Sequence, residues 1–326
     1  MKDKNGKNGA TDATIVFQDN SLLPALFGEN DVHLSRIEKK FGVSASSRGN
    51  VLALSGEKAN TEAARAVLES LYADLKAGSE IRLADVDAAI RMAGGKQDDD
   101  GDLRDVAVKT MKKTVKPYSP HQAKYIQALD SNDLVFALGP AGTGKTYLAV
   151  AMAVSLFTSG RVEKIILSRP AVEAGEKLGF LPGNLEEKVD PYLRPLYDAL
   201  YDMIPGEKLA RHMENGEIEV APLAFMRGRT FSNAFVILDE AQNTTPTQMK
   251  MFLTRMGENS RMVVTGDLSQ TDLPKDVKSG LGDAIRKVEH IEGIAVVRFN
   301  ETDVVRHALA ARIVQAYDEW DRKKRQ

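Results

Sequence analysis

The most restrictive feature of this sequence is a glycine-rich loop that stands between an apolar run and a helical run. The apolar run is Leu134–Leu138, the loop GPAGTGKT occupies Gly139–Thr146, and Tyr147–Phe157 has the residue pattern of a helix. A strand that passes through GxxxxGK[ST] into a helix is a phosphate-binding P-loop. The sequence therefore predicts a mostly parallel α/β domain that binds a nucleotide at the carboxyl ends of its strands.

Each part of this loop has a physical role. Glycines let backbone N–H groups converge on an anion, and the helix N-terminus adds partial positive charge. We expect Lys145 to reach the β- and γ-phosphates of the nucleotide and Thr146 to bind Mg²⁺ through its hydroxyl. The predicted nucleotide-binding residues of the loop are Gly139, Pro140, Ala141, Gly142, Thr143, Gly144, Lys145 and Thr146.

A pair of acids follows a second apolar run, Phe235–Leu238. Asp239 and Glu240 would lie at the carboxyl end of a central strand, where α/β domains bind ligands. Asp239 is expected to hold Mg²⁺ through water, and Glu240 to polarise an attacking water molecule. A strand that merely ends in solvated acids is the alternative, and the upstream P-loop favours the functional interpretation.

A third apolar run, Arg261–Thr265, continues into Gly266-Asp267-Leu268-Ser269-Gln270. A strand beside the P-loop commonly carries a polar sensor of the γ-phosphate. We predict that Gln270 is this sensor and that Asp267 positions it, the alternative being a surface turn.

These three segments together resemble one family. The loop GPAGTGKT, the stretch DEAQN at Asp239–Asn243 and GDLSQTDLP at Gly266–Pro274 resemble the PhoH-like ATPases, and also motifs I to III of superfamily 1 helicases. The resemblance implies a RecA-like fold, ATP hydrolysis, association with RNA, and a link to a YbeY-type endoribonuclease and ribosomal RNA maturation. It covers most of the chain.

Two further positions match helicase-like ATPases less specifically. Gln122 stands where those proteins place an adenine-reading glutamine, whose amide can both donate and accept; the alternative is a solvated helix start. Arg169 follows the apolar run Lys164–Ser168, where helicases contact the nucleic-acid backbone. The alternative for Arg169 is a salt bridge to the loop that carries Glu173 and Glu176.

A small α+β unit over residues 13–78 precedes the P-loop domain. Its predicted order of strand, two helices, two strands and a helix resembles a KH-like module, which clamps RNA with a GxxG loop. The corresponding loop, Gly28–Asp31, lacks the second glycine and carries Glu29 and Asp31, which repel phosphate. We therefore expect it to dock a protein or organise an oligomer, with Arg48 as another candidate RNA contact.

Composition sets the remaining boundaries and exclusions. We expect a disordered tail over 1–12, an acidic then basic linker over 79–116, the ATPase domain over 117–319 and a basic tail over 320–326. The absence of cysteine excludes disulfides, thiolate zinc sites and cysteine nucleophiles. A net charge of -2 excludes a globally basic nucleic-acid binder. With no signal peptide or membrane span expected, we predict a cytoplasmic protein.

Basic residues in the linker are a further candidate RNA contact. Four lysines lie close to Tyr118, and such a cluster either tracks a phosphate backbone or is simply a solvated face. The four are Lys109, Lys112, Lys113 and Lys116.

The predicted function is ATP hydrolysis with Mg²⁺, coupled to remodelling of RNA or an RNA–protein complex. The alternative is a nucleotide-dependent adaptor that docks a nuclease or ribosomal particle without unwinding RNA; a small-molecule kinase is a weaker possibility. The sequence after Pro117 has room for one RecA-like lobe, ending in a helix over 303–319, so we expect a homo-oligomer, such as a ring, or a switch. In an oligomer, Arg255, Arg261 or Arg306 would reach a neighbour's phosphate, although Arg255 also suits a solvated helix end.

Overall fold

The computed structural model describes residues 11–94, 106–170, 185–274 and 276–305, together with 310, 312, 313, 316, 317 and 320. The chain divides into two compact units. The N-terminal unit comprises Met1–Asp105 and Tyr118–Pro120, and the P-loop unit comprises Val106–Pro117 and His121–Gln326. In the described residues, every helix is too short or too polar to cross a membrane.

The N-terminal unit is a three-stranded antiparallel sheet with helices packed against it. Its strands are ordered β1-β3-β2, and they are β1 (Thr11–Val16), β2 (Ser44–Arg48) and β3 (Val51–Gly56). Its helices are α1 (Leu23–Phe27), α2 (Val32–Phe41), α3 (Lys58–Lys76) and α4 (Leu83–Gly94). Up to α3 the order of elements is the predicted KH-like one, which is confirmed.

The structure corrects the predicted linker over residues 79–116. Helix α4 lies within it and buries Val86 and Ile90 in the core of the N-terminal unit. The hairpin of β4 (Val108–Lys109) and β5 (Thr114–Val115) also lies within it and belongs to the P-loop unit. The charged composition of 79–116 suggested a linker, although the segment contains both α4 and the β4–β5 hairpin. The predicted tail boundary is also too late, because β1 begins at Thr11.

The P-loop unit is built on a six-stranded parallel sheet ordered β11-β6-β10-β9-β7-β8. The strands are β6 (Leu134–Leu138), β7 (Lys164–Arg169), β8 (Ile218–Pro222), β9 (Ala234–Leu238), β10 (Arg261–Gly266) and β11 (Ile294–Arg298). The helices are α5 (Pro120–Ser131), α6 (Lys145–Thr158), α7 (Leu185–Met203), α8 (Gly206–Glu214), α9 (Pro246–Leu253) and α10 (Gly280–Val288). The four apolar runs named above, at 134–138, 164–168, 235–238 and 261–265, are confirmed as strands to within one residue at each end.

Burial on both faces explains why these strands are almost continuously apolar. Every residue of β6 and β9 is buried. One core packs the sheet against α6 and α7, through side chains such as Leu148 and Leu196. Another packs it against α9 and α10, through Phe252 and Leu281. Since β6, β10 and β9 are parallel neighbours, their carboxyl ends bring the three predicted motifs to one edge of the sheet. Arg306 lies outside the described residues, as does much of the predicted helix 303–319.

Candidate nucleotide site

The P-loop depends on glycine at specific points. Gly142 and Gly144 have φ angles of 81° each, in the left-handed region that favours glycine. At Gly139, with φ 145°, an added Cβ would lie 2.6 Å from the carbonyl oxygen of Phe299. The loop backbone at Gly139 therefore packs directly against the backbone of Phe299. In a glycine-rich loop of this kind, the N–H groups are the usual donors to a bound anion.

Lys145 is folded into this loop. Its Nζ donates hydrogen bonds to the carbonyl oxygens of Gly139 at 2.7 Å and Pro140 at 2.8 Å. Burial lowers the pKa of Lys145 from its usual value, and nearby carboxylates act in the opposite direction. These carboxylates belong to Asp239, Asp267 and Glu240. The predicted phosphate-binding cation thus lies among the acids of the other two motifs.

Asp239 connects the P-loop to the neighbouring strand. Its Oδ1 accepts hydrogen bonds from the hydroxyls of Thr146 and Thr265, both at 2.6 Å, and the residue is 5% exposed. Thr265 was missing from the sequence prediction; it lies next to Asp239 because β10 pairs with β9 in the register Val264↔Leu238. A hydroxyl and a carboxylate are hard oxygen donors of the kind Mg²⁺ takes, so Thr146 and Asp239 fit the predicted metal.

Glu240 is held from both sides. Its backbone is left-handed, with φ 52° and ψ 39°, an uncommon conformation for a residue with a Cβ. Its Oε2 accepts a hydrogen bond from Gln242 Nε2 at 2.5 Å, and its Oε1 lies 3.4 Å from Arg169 Nη2. The structure thus gives Arg169 a partner that neither sequence interpretation included; Glu173 and Glu176 lie outside the described residues.

Gln242 is a functional candidate that the sequence analysis did not single out, although it stands in the DEAQN stretch. Its side-chain amide donates to Glu240, while its Oε1 accepts the backbone N–H of Asp267 at 3.0 Å. The residue is only 2% exposed. Gln242 therefore ties the acid after β9 to the loop after β10.

The predicted link between Asp267 and Gln270 needs correction. The Asp267 carboxylate accepts hydrogen bonds from Ser269, through both its N–H at 2.9 Å and its hydroxyl at 2.6 Å. Gln270 is joined to Asp267 by a backbone hydrogen bond of 3.2 Å and its side chain is exposed. Asp267 thus positions Ser269, and the sensor role of Gln270 stays a prediction. Asp267 Oδ2 is buried without a hydrogen-bond partner among the described residues.

Two other segments of the P-loop unit form hydrogen bonds with carbonyl oxygens of the P-loop. Gln122, on α5, donates from Nε2 to the carbonyl oxygen of Thr143 at 2.9 Å, so its adenine-reading role stays a prediction beside this structural contact. The segment after β11 also reaches the loop, because Val305 N–H donates to Gly142 O at 2.9 Å. His121 anchors that segment through Asp303, with 3.0 Å between Nδ1 and Oδ1.

Arg255 lies just after α9, which ends at Leu253, and was predicted to lie at the helix end itself. Its guanidinium contacts its own chain. It donates to the carbonyl oxygens of Met251 at 3.1 Å and Arg229 at 3.0 Å, and to the hydroxyl of Thr254 at 3.3 Å. Arg261 donates to carbonyl oxygens at the end of α5. Burial lowers the pKa of Arg261. Action on a neighbouring subunit stays a prediction for both arginines.

Two of the four linker lysines bond to residues of α7. Lys113 forms an ion pair with Asp202, and Lys112 Nζ donates to Tyr201 O at 2.8 Å. Both side chains therefore extend from the β4–β5 hairpin to α7. Lys109 is exposed. RNA contact by this cluster stays a prediction.

The acidic loop of the N-terminal unit forms a short 3-10 turn. Asn30 and Asp31 both have left-handed backbones, with φ 53° and 57°. A groove of about 570 Å³ beside them is lined by apolar residues such as Phe27 and by the carboxylates of Glu29 and Asp31. Glu29 and Asp31 are both exposed beside this groove, and the choice between docking a protein and contacting RNA stays a prediction.

Comparisons with known proteins show which family this chain resembles. A family model described as PhoH-like protein matches residues 114–318. A PhoH-like protein of Bacillus subtilis is 52% identical over 297 residues, covering 90% of this chain and 93% of that protein. Another, from Mycobacterium leprae, is 48% identical over 306 residues, covering 92% and 86%. The crystal structure of the UvsW helicase from bacteriophage T4 is 11% identical, covers 60% of this chain and 65% of that one, and has a TM-score of 0.37.

Proposed function

The chain belongs to the PhoH-like protein family, and from that membership and the geometry of its site we propose that it hydrolyses ATP with Mg²⁺. The observation that carries the proposal is the hydrogen bond between Thr146 and Asp239, which joins the P-loop to the acid pair. A hydroxyl beside a carboxylate behind a phosphate cradle is the arrangement that P-loop hydrolases use.

Each residue has a distinct task in this reaction. The P-loop amides and Lys145 bind and orient the β- and γ-phosphates, and Glu240 takes a proton from the attacking water. The water oxygen bonds to the γ-phosphorus, and the bond from that phosphorus to the bridging oxygen breaks, which leaves ADP and inorganic phosphate. Thr146 and Asp239 would hold Mg²⁺, which neutralises charge on the phosphates.

Two threonines that share one acceptor allow a test of the metal site. Thr146→Val is expected to lower ATP hydrolysis by roughly 10²–10³-fold, because it removes a Mg²⁺ ligand. Thr265→Val removes the other hydrogen bond to the same Asp239 oxygen and is expected to stay within about tenfold. Phosphate release measured across a Mg²⁺ titration distinguishes them, since added Mg²⁺ should partly rescue the first. Equal losses in both variants would mean that the hydroxyls only orient Asp239.

We further propose that ATP hydrolysis drives the remodelling of RNA or of an RNA–protein complex. Support comes from cations near the site: Arg169 and Lys112 line one cleft with Glu240. The adaptor for a YbeY-type endoribonuclease or a ribosomal particle is the second candidate, and the acidic groove of the N-terminal unit favours it. ATP turnover stimulated by RNA supports remodelling, whereas turnover stimulated by the protein partner alone supports the adaptor.

Salt dependence provides a test of the RNA contacts. If Arg169 and the linker lysines bind phosphates, the affinity for single-stranded RNA should fall by about 0.7 log units per contact for each log unit of salt. Replacing Lys109 and Lys112 with glutamine should flatten that slope, and this is measured by fluorescence anisotropy over a salt series. An affinity that does not change with salt concentration would contradict the phosphate contacts and would favour the adaptor function.

A further inference from the structure

The register of the sheet places Arg169 beside the catalytic acids. Strand β7 pairs with β9 so that Ser168 lies opposite Leu238, and Asp239 N–H donates to Ser168 O at 2.9 Å. Arg169 and Glu240 are the residues that follow, at the carboxyl edge of adjacent strands. Their proximity is thus set by the pairing of two buried strands.

The contact between the two side chains is a weak one. Arg169 Nη2 lies 3.4 Å from Glu240 Oε1, while Arg169 Nη1 donates to Tyr192 O at 2.9 Å. The guanidinium therefore approaches the carboxylate with one nitrogen rather than through a bidentate pair. The side chains are 22% and 38% exposed, so a ligand in solution can reach both. An ion pair of this kind exchanges partners at little cost.

The same contact limits what Glu240 can do as a base. One carboxylate oxygen faces Arg169 and the other accepts the amide of Gln242. A general base must offer an oxygen to the attacking water within hydrogen-bond distance. Arg169 occupies one approach to Oε1, and that approach opens to water when Arg169 has moved to another partner.

The surrounding cleft indicates what that partner is. It has a volume of about 820 Å³, and its charged lining consists of Arg169 and Lys112 with Asp198, Asp202, Asp239 and Glu240. Asp202, on the wall of the same cleft, is already bonded to Lys113 and Tyr147. A phosphodiester offers a guanidinium two oxygens in the bidentate geometry that Glu240 does not supply, and Lys112 adds a second cation.

We propose that Arg169 is a positioning residue that restrains Glu240 and releases it when a phosphodiester of single-stranded RNA binds Arg169, so that RNA binding switches on hydrolysis. This inference rests on the proposed ATPase and names its regulation. The predicted contact of Arg169 with nucleic acid and its observed ion pair with Glu240 are then two states of the same side chain.

The test compares Arg169→Gln with the parent protein, with and without polyuridylate. The variant is expected to raise the RNA-free rate by about fivefold, the equivalent of about 1 kcal/mol for a partly exposed ion pair. Polyuridylate should accelerate the parent and leave the variant unchanged, while the Km for ATP stays constant in both. Arg169→Lys should retain part of the restraint and part of the response.

Two controls isolate the effect. Arg161→Gln breaks a surface ion pair with Asp130, 2.6 Å long, and should keep the parent rate and the parent response to polyuridylate. Adding Glu240→Gln to Arg169→Gln should abolish the raised rate, which shows that the gain passes through Glu240. Thermal unfolding of each variant reports whether the fold is intact.

The outcomes separate the inference from the function on which it rests. An Arg169→Gln protein that is folded, binds ATP normally and is slower than the parent without RNA overturns the restraint while the ATPase stands. A parent protein that ignores polyuridylate, beside a faster variant, overturns release by RNA. A parent that does not hydrolyse ATP under any condition overturns the proposed function itself.

Discussion

Replacing Glu240 with glutamine is expected to leave ATP bound and to lower its hydrolysis by roughly 10²–10⁴-fold. Glutamine has the shape of glutamate, so it can keep the left-handed backbone at this position and still accept the hydrogen bond from Gln242. Its amide cannot take a proton from water. The loss should therefore fall on turnover and leave nucleotide binding intact.

Lys145→Ala is the matched comparison, because it removes the cation that faces the phosphates. This variant should lose affinity for ATP as well as turnover. Binding of a fluorescent ATP analogue and release of phosphate are measured on the same preparations. If Glu240→Gln turns over at the parent rate, Glu240 is not the base, and Asp267, whose Oδ2 is buried without a partner among the described residues, becomes the next candidate.

The sequence was sufficient to predict the framework of the site. Strands such as Leu134–Leu138 are runs of apolar residues, and their composition follows directly from burial on both faces of a parallel sheet. Polar residues at the ends of three such runs have one physical explanation, a shared carboxyl edge. The contact between Thr146 and Asp239 confirms that the first two motifs meet there.

What could not be predicted depends on which strands are neighbours. Residue spacing does not reveal that β7 lies next to β9, so Arg169 was assigned either to nucleic acid or to acids in its own loop, and Glu240 was not considered. Thr265 and Gln242 were missed for the same reason, since their roles arise from contacts across the sheet edge. Helix α4 was missed because it stands beside a run of aspartates, which has the composition of a linker.

Arg255→Ala is expected to lower ATP hydrolysis by ~10³–10⁵-fold if the protein works as the homo-oligomer expected from its sequence, because an arginine supplied by a neighbour neutralises transition-state charge. The guanidinium has five N–H donors. Three of them bond to Met251, Arg229 and Thr254, which hold the group in one orientation. One N–H remains on each Nη, and a guanidinium N–H is a strong donor to phosphate oxygen.

The competing explanation is that these three bonds are the whole purpose of Arg255, as an anchor at the end of α9. Mixing Arg255→Ala with Lys145→Ala distinguishes the two. Each variant should be inactive alone, but a mixed oligomer contains interfaces with an intact P-loop on one subunit and an intact arginine on the next, so activity should return. If Arg255 is only a structural anchor, Arg255→Ala should lose about 1–3 kcal/mol of its free energy of unfolding, because hydrogen bonds are lost, and should melt at a lower temperature. It should then keep its activity when folded. That result would leave Arg261 or Arg306 to reach the neighbour's phosphate.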